Sequence, residues 1–341
     1  MLNRKFGLLV LLLALALVMT ACGTAQDDGQ EPEDETNGDT AQEAPQEGIG
    51  GFYVMGTGST GGTYYPLGQE MVNVWNNHID ANFDAVASGA SVENLSKIGT
   101  GEFDLGMTVH IPALEAYNGE GEFADGAVTN FAFIGHIYPE VLQIVVREAS
   151  GIESIEDLRG KRVAIGPPGS GTQAAAKLVL EAYGIGDGDY EAFEEGFGDA
   201  RDRLQDGTID ASFGLLGLPN AGIEELQASA GDVKLLEISP EALEYIEANS
   251  GYEAYTIPAG TYNWINEDVT VVSAYAILVA NTDTVNDDLA YELARVMIEH
   301  ADENTHPQSD HTTLDNALLG SEGLPIHPGA ERYYREQGIL D

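Results

Sequence analysis

The sequence predicts an α/β chain of two lobes. Short apolar, β-branched segments alternate with amphipathic helical stretches from residue 52 onward, as in a sheet flanked by helices. Two glycine-rich runs, Gly56-Thr57-Gly58-Ser59-Thr60-Gly61-Gly62-Thr63-Tyr64-Tyr65-Pro66 and Gly166-Pro167-Pro168-Gly169-Ser170-Gly171-Thr172-Gln173, each join a short strand to a helix. The length of 341 residues suffices for two ordinary domains. A strand, a glycine turn and a helix start form an anion cradle, because free N–H groups and the positive end of the helix dipole converge there. Two cradles predict two lobes gripping one small anion.

The chain begins with Asn3-Arg4-Lys5, an apolar run from Phe6 to Met19, and Thr20-Ala21-Cys22. This is the order of a signal peptide, and the run is short for a membrane span of ~20 residues. Cys22 is the sole cysteine, so no intramolecular disulfide forms, and it stands where a lipoprotein signal is cut and lipidated. Residues 1–22 therefore read as a lipoprotein signal peptide. Residues 23–50, rich in Asp, Glu, Gln, Gly and Thr, read as a disordered acidic tether.

Beyond the tether, strands are expected at 52–55 and 83–87, followed by a strand at 104–108 and β-branched runs at 131–138 and 141–146. Helices are expected at 65–78, near 92–98 and from 112. A second unit starts with the serine-capped stretch Ser154-Ile155-Glu156-Asp157-Leu158 and a strand at 161–165, and the second glycine run follows. Helices at 174–183, 199–205 and 221–228 alternate with strands at 209–213 and 233–238. A long β-rich run at 269–280 leads back to the first unit, and residues 287–299 make a strong helix. The expected division is lobe 1 at 51–150 with 270–341 and lobe 2 at 151–269, with passages near 148–153 and 266–272. Ligands of open α/β sheets bind beyond the carboxyl ends of strands, where both glycine runs lie.

The net charge is −43, and the part after residue 50 holds 48 acidic against 12 basic residues, a net of −36. Such a surface repels nucleic acid and anionic lipid. Scarce lysine fits a salt-loving source, where screening relieves self-repulsion. An anionic ligand must then be held by short-range donors. Gly166 and Gly171 have P-loop spacing, but Thr172 stands where the phosphate-binding lysine belongs, which argues against nucleotide hydrolysis. The histidines form no His-Glu-x-x-His motif. His300, His306 and His311 read as surface residues near a helix end rather than as metal ligands, and no metal or cofactor is expected. No acid–base constellation marks an enzyme.

Among single residues, His110 at a strand end is either an anion donor or a satisfied loop histidine, and Thr261 and Tyr262 in the turn Pro258–Tyr262 are either pocket donors or plain loop. Ser59, Thr60, Ser170 and Thr172 fit helix capping and ligand binding together, since both use the same helix end. Arg147 fits a carboxylate clamp or a hinge ion pair.

The stretches GTGSTGGTYYPLG (56–68), GIESIEDLRGKRVAIGPPGSGT (151–172), DGTIDASF (206–213), IPAGTY (257–262) and PIHPGAERYYREQG (325–338) together resemble the TAXI solute-binding proteins of tripartite ATP-independent periplasmic (TRAP) transporters. The resemblance implies a type II periplasmic-binding-protein fold with a hinge between the lobes and no enzymatic activity. It also implies capture of a small organic anion, such as glutamate, glutamine, 2-oxoglutarate or a related dicarboxylate, and delivery to a membrane permease. On this resemblance Ser59, Thr60, Gly61, Thr63 and Tyr64 belong to the first ligand loop, and Ser170, Gly171 and Thr172 to the second. Val109-His110-Ile111 replaces a Gln-Ser-Asp segment of many relatives and alters an expected pocket wall. The expected location is extracytoplasmic, lipid-anchored through Cys22. A ligand sensor feeding a membrane receptor is the alternative, and an enzyme on the same scaffold a more distant one.

Overall fold

The computed structural model describes residues 49–231 and 233–341. Cys22, the signal segment and the tether up to residue 48 lie outside the described residues. The first half of the fold holds β1 (Phe52–Gly56), α1 (Tyr64–His78), β2 (Asn82–Val86), α2 (Ser91–Thr100), β3 (Leu105–Val109) and α3 (His110–Asn118). A long strand β4 (Phe131–Arg147) leads into β5 (Arg162–Ala164), α4 (Gly171–Ala182), β6 (Glu191–Phe193), α5 (Phe197–Asp206) and β7 (Ala211–Leu216). Then come α6 (Ala221–Ala230), β8 (Val233–Leu235), α7 (Pro240–Asn249), β9 (Glu253–Ile257), the second long strand β10 (Val269–Asn281), α8 (Asp287–Glu299) and α9 (Pro328–Glu336).

The strands run β2-β1-β3-β10-β4-β7-β5-β6, with β8 beside β4 and β9 beside β10. Each end of the sheet is parallel, β1 with β2 and β3 and β5 with β6 and β7, and the antiparallel pair β4–β10 joins them. These two strands serve both lobes. Residues 131–138 of β4 pair with the end of β10, while Val141–Val146 pair with β7. The start of β10 pairs with β9 and its end with β3.

The sequence predicts two strands here, at 131–138 and 141–146. The structure has one strand of 17 residues, with Pro139 opposite Tyr275 and pairing passing from β10 to β7 at Val141. The serine-capped stretch at 154–158 forms a single 3-10 turn rather than an α-helix, closed by a reciprocal Ser154–Asp157 capping box.

Each lobe has its own apolar packing. In the first, Trp75, Leu67, Met71, Leu289, Leu293 and Met297 close α1 and α8 over the sheet. In the second, Leu142, Ile144, Val163, Val179, Leu180 and Phe213 do the same around α4. This places both glycine loops on the facing sides of the two lobes. Among the described residues, no helix is long and apolar enough to cross a membrane.

Candidate ligand-binding site

A cavity of ≈ 60 Å³ lies between the lobes. A single water needs ~10–15 Å³ by this measure, so the space holds a few water-sized groups. Three helix starts meet there: Gly58, Ser59, Gly62, Thr63 and Tyr64 before and in α1, Gly89 to Ser91 at α2, and Ser170 to Thr172 at α4.

At α4, Ser170 accepts a hydrogen bond from the Gln173 N–H at 3.1 Å and its hydroxyl donates to the Pro167 carbonyl at 2.8 Å. This leaves the N–H groups of Gly171 and Thr172 without an acceptor among the described residues, free for an anion. The turn demands glycine at Gly166, whose φ is +91°, and at Gly171, where a Cβ would lie 2.5 Å from the Val109 Cγ2. Thr172 Oγ1 accepts from the Leu215 N–H at 3.1 Å, so its hydroxyl proton remains available to a ligand. A Thr172→Val change therefore also orphans a backbone donor, at ~1–3 kcal/mol.

Thr63 Oγ1 accepts from the Gly217 N–H at 3.0 Å and from Asn220 Nδ2 at 3.4 Å, which ties the first loop to the far lobe. The Val92 N–H donates to the Gly169 carbonyl at 3.0 Å, linking the second helix start to the second glycine loop. The cleft is thus drawn closed.

Sequence reasoning missed the α2 start and an acid. Ser88-Gly89-Ala90-Ser91 is a cap-like run, which is its only local signal. Ala90 has φ +71° and ψ −139°, a conformation nearly reserved for glycine. Ala90→Gly is expected to raise the unfolding free energy by about 1 kcal/mol in urea titration. A loss of stability would mean that the backbone there is unstrained.

The acid is Glu140 on β4. It is 3% exposed and accepts a hydrogen bond from the Tyr138 hydroxyl at 3.1 Å. Burial pushes its carboxyl up to about 7, against smaller lowering effects from the Tyr64 and Tyr138 hydroxyls. The Tyr64 hydroxyl is buried against this group but falls short of hydrogen-bond geometry, so it has no partner among the described residues. Among the described residues that line the cavity, Glu140 is the one carboxylate and there is no lysine or arginine. The site therefore presents neutral donors on its loops and one acid on its floor.

Not every residue expected from sequence lies here. Thr60 and Gly61 line a separate outer cavity with Arg201, Asn220 and His306. His110 opens α3, and its Nδ1 accepts the Tyr275 N–H at 3.1 Å, while burial lowers its pKa to about 4. It acts as a neutral sheet pin away from the cavity. Tyr262 is fully buried, donating to Gln143 Oε1 and accepting from the Asn220 N–H at 2.8 Å, and Thr261 closes its turn on the Pro258 carbonyl. Tyr262 belongs to the apolar packing of the second lobe, and neither residue lines the cavity. Arg147 reaches the Leu204 and Gln205 carbonyls at the end of α5, where a cation offsets the helix dipole.

A two-lobed sheet with helix starts facing a cleft defines the type II periplasmic-binding-protein fold. The periplasmic binding protein BugD is similar over 85% of this chain and 94% of its own, at 11% identity and TM-score 0.52. A protein of Bordetella bronchiseptica is similar over 87% and 91%, at 15% identity and TM-score 0.50. The alkanesulfonate-binding protein SsuA of Xanthomonas axonopodis pv. citri is similar over 83% of both chains, at 17% identity and TM-score 0.47. The chain belongs to the NMT1-like family, which matches residues 55–338.

Proposed function

We propose that this protein is an extracytoplasmic solute-binding lipoprotein that closes its two lobes on a small organic anion and hands it to a TRAP-type membrane permease. The observation that carries the reading is the meeting of three helix starts in one interlobe cavity, with the Gly171 and Thr172 N–H groups of α4 unpaired among the described residues. Anion capture by neutral donors permits release, because no permanent cation must be left unpaired. The TAXI group and the permease are inferred from the stretches at 56–68, 151–172, 206–213, 257–262 and 325–338, and anchoring from the position of Cys22 after the apolar run. The assignment of 51–150 with 270–341 and 151–269 to separate lobes belongs to the same proposal. The names of the similar proteins, which include periplasmic and alkanesulfonate-binding proteins, agree with a solute-binding role outside the cytoplasm. No catalytic role is proposed.

Among glutamate, 2-oxoglutarate and related dicarboxylates, Glu140 favours glutamate. A dianion would meet a buried carboxyl with no neighbouring cation, whereas an ammonium group would pair with it. Calorimetric titration in molar salt with glutamate, glutamine, 2-oxoglutarate, succinate and fumarate tests the reading. A saturable one-site isotherm is expected for at least one of them. Silence from the whole panel, in protein shown to be folded and empty, would count against it. Ser59, whose side chain has no hydrogen-bond partner among the described residues, gives a clean variant. Ser59→Ala is expected to weaken binding ~5–10-fold with an unchanged melting temperature. Equal affinity would remove Ser59 from the site.

A further inference from the structure

The end of α1 remote from the cleft meets the end of α8. His78 is the last residue of α1, His300 caps α8, and Glu303 closes the 3-10 turn Ala301–Glu303 that follows. His78 Nε2 lies 2.9 Å from both carboxylate oxygens of Glu303, and His300 Nδ1 lies 2.9 Å from its Oε1. The two imidazoles stack with centroids 3.7 Å apart and planes 28° from parallel. One nitrogen of each ring and a carboxylate oxygen all fall within 4.8 Å of one another.

We infer that His78, His300 and Glu303 form a binding site for a divalent transition-metal ion of the Zn²⁺ class. In the metal-free form both imidazoles donate to one carboxylate, and those hydrogen bonds account for each histidine's distance from Glu303. They do not by themselves require two rings to stack with their donor atoms converging on one oxygen. A single cation replacing both N–H protons uses that convergence directly. Bonds of ~2.0–2.1 Å in a tetrahedral site put adjacent ligand atoms ~3.3 Å apart, so the 2.9 Å contacts need open only slightly. Two imidazole nitrogens select Zn²⁺, Ni²⁺ or Cu²⁺ over Mg²⁺ or Ca²⁺.

The side chains are 26%, 27% and 44% exposed, which leaves a fourth position for water. The strongly acidic body raises the local concentration of cations. Bound metal would staple α1, whose other end forms the cleft wall, to α8. The ligands come from distant parts of the chain, so no local spacing announces them. The run of His300, His306 and His311 contributes only its first member, and His306 Nδ1 instead accepts from the Gln308 N–H at 3.2 Å.

Titration of chelator-treated protein with Zn²⁺ by calorimetry, and with Co²⁺ by visible absorption, tests the site independently of solute capture. One equivalent of Zn²⁺ and a tetrahedral Co²⁺ spectrum are expected. His78→Ala, His300→Ala and Glu303→Gln should each weaken binding at least ~10-fold. Melting in chelator reports whether each variant is folded. Absence of saturable binding by the parent protein would overturn the proposal. So would undiminished Zn²⁺ affinity in a folded His78→Ala/His300→Ala variant, since exposed acids would then be responsible. If that variant does not fold, a Co²⁺ spectrum of the parent without tetrahedral bands overturns it equally.

Discussion

Glu140→Gln is expected to stabilise the protein relative to the parent at pH 8 and to lose that relative gain near pH 4.5. The carboxyl is raised from its ordinary 4.5 to about 7 by burial, so the folded state holds its proton more tightly than the unfolded chain. The resulting stabilisation is complete below the unfolded value and lost as pH rises through about 7. At ~1.4 kcal/mol per pH unit, the charged carboxylate costs the native state about 3 kcal/mol in alkaline solution. The hydroxyls of Tyr64 and Tyr138 face it, both themselves raised by burial, and no lysine or arginine lines the cavity among the described residues, so no cation compensates it. Glutamine does not titrate, and its own burial cost is the same at both pH values. Urea unfolding of both proteins at pH 4.5 and pH 8 gives the comparison, and parallel pH profiles would show that Glu140 is not desolvated.

The same variant separates ligands. An ammonium group beside Glu140 favours the ionised form, so capture of glutamate near pH 6 should release a proton, visible as a buffer-dependent heat. The parent should discriminate against 2-oxoglutarate, which lacks the amine. In Glu140→Gln, glutamate should bind ~100-fold more weakly, the cost of truncating one partner of a buried charge pair. The preference for amine over ketone should shrink or reverse. If glutamate binds both proteins equally, Glu140 does not touch the ligand.

What was legible in the sequence follows from what is local. The glycine loops announce themselves because their requirements are backbone requirements, such as the positive φ of Gly166 or the missing Cβ of Gly171 against Val109. The helix at 287–299 agrees with its expected bounds because its apolar spacing is intact and Asn286 caps it. Glu140 was hidden among 57 acidic residues, since nothing but tertiary burial distinguishes it. Its one sequence signal is position: it is the sole acid within the otherwise uncharged run from Phe131 to Val146. Tyr262 misleads for the converse reason. A Pro-Ala-Gly-Thr-Tyr turn reads as exposed, yet the ring is buried against Trp264 and its hydroxyl holds Gln143 to the Asn220 backbone. The continuity of 131–146 is hidden for the same reason, since the passage of pairing from β10 to β7 near Val141 is a tertiary fact.

Gly61→Ala is expected to hold the cleft open. Gly61 meets Gly198, in the first turn of α5 on the opposite lobe, and a Cβ on Gly61 would lie 2.4 Å from the Gly198 Cα and 2.7 Å from its N. Both are backbone atoms, so no side chain can swing away and the lobes themselves must part. Within its own lobe the substitution is mild, because Gly61 is not among the glycines with positive φ. The cost therefore falls on closure rather than folding. If the closed arrangement is the one that grips solute, each 1.4 kcal/mol taken from it reduces affinity tenfold, and a loss of ~10–100-fold is expected with little change in ligand-free melting. The reciprocal Gly198→Ala gives an internal scale. Its Cβ would lie 3.1 Å from the Gly61 Cα, a tighter contact than normal but one that a few tenths of an ångström relieves, so its loss should be several-fold smaller. Small-angle scattering should show the Gly61 variant more extended in the presence of ligand than the parent. Full affinity in Gly61→Ala would mean that solute is bound without this contact, and closure on the ligand would have to pivot elsewhere than at the Gly61–Gly198 seam.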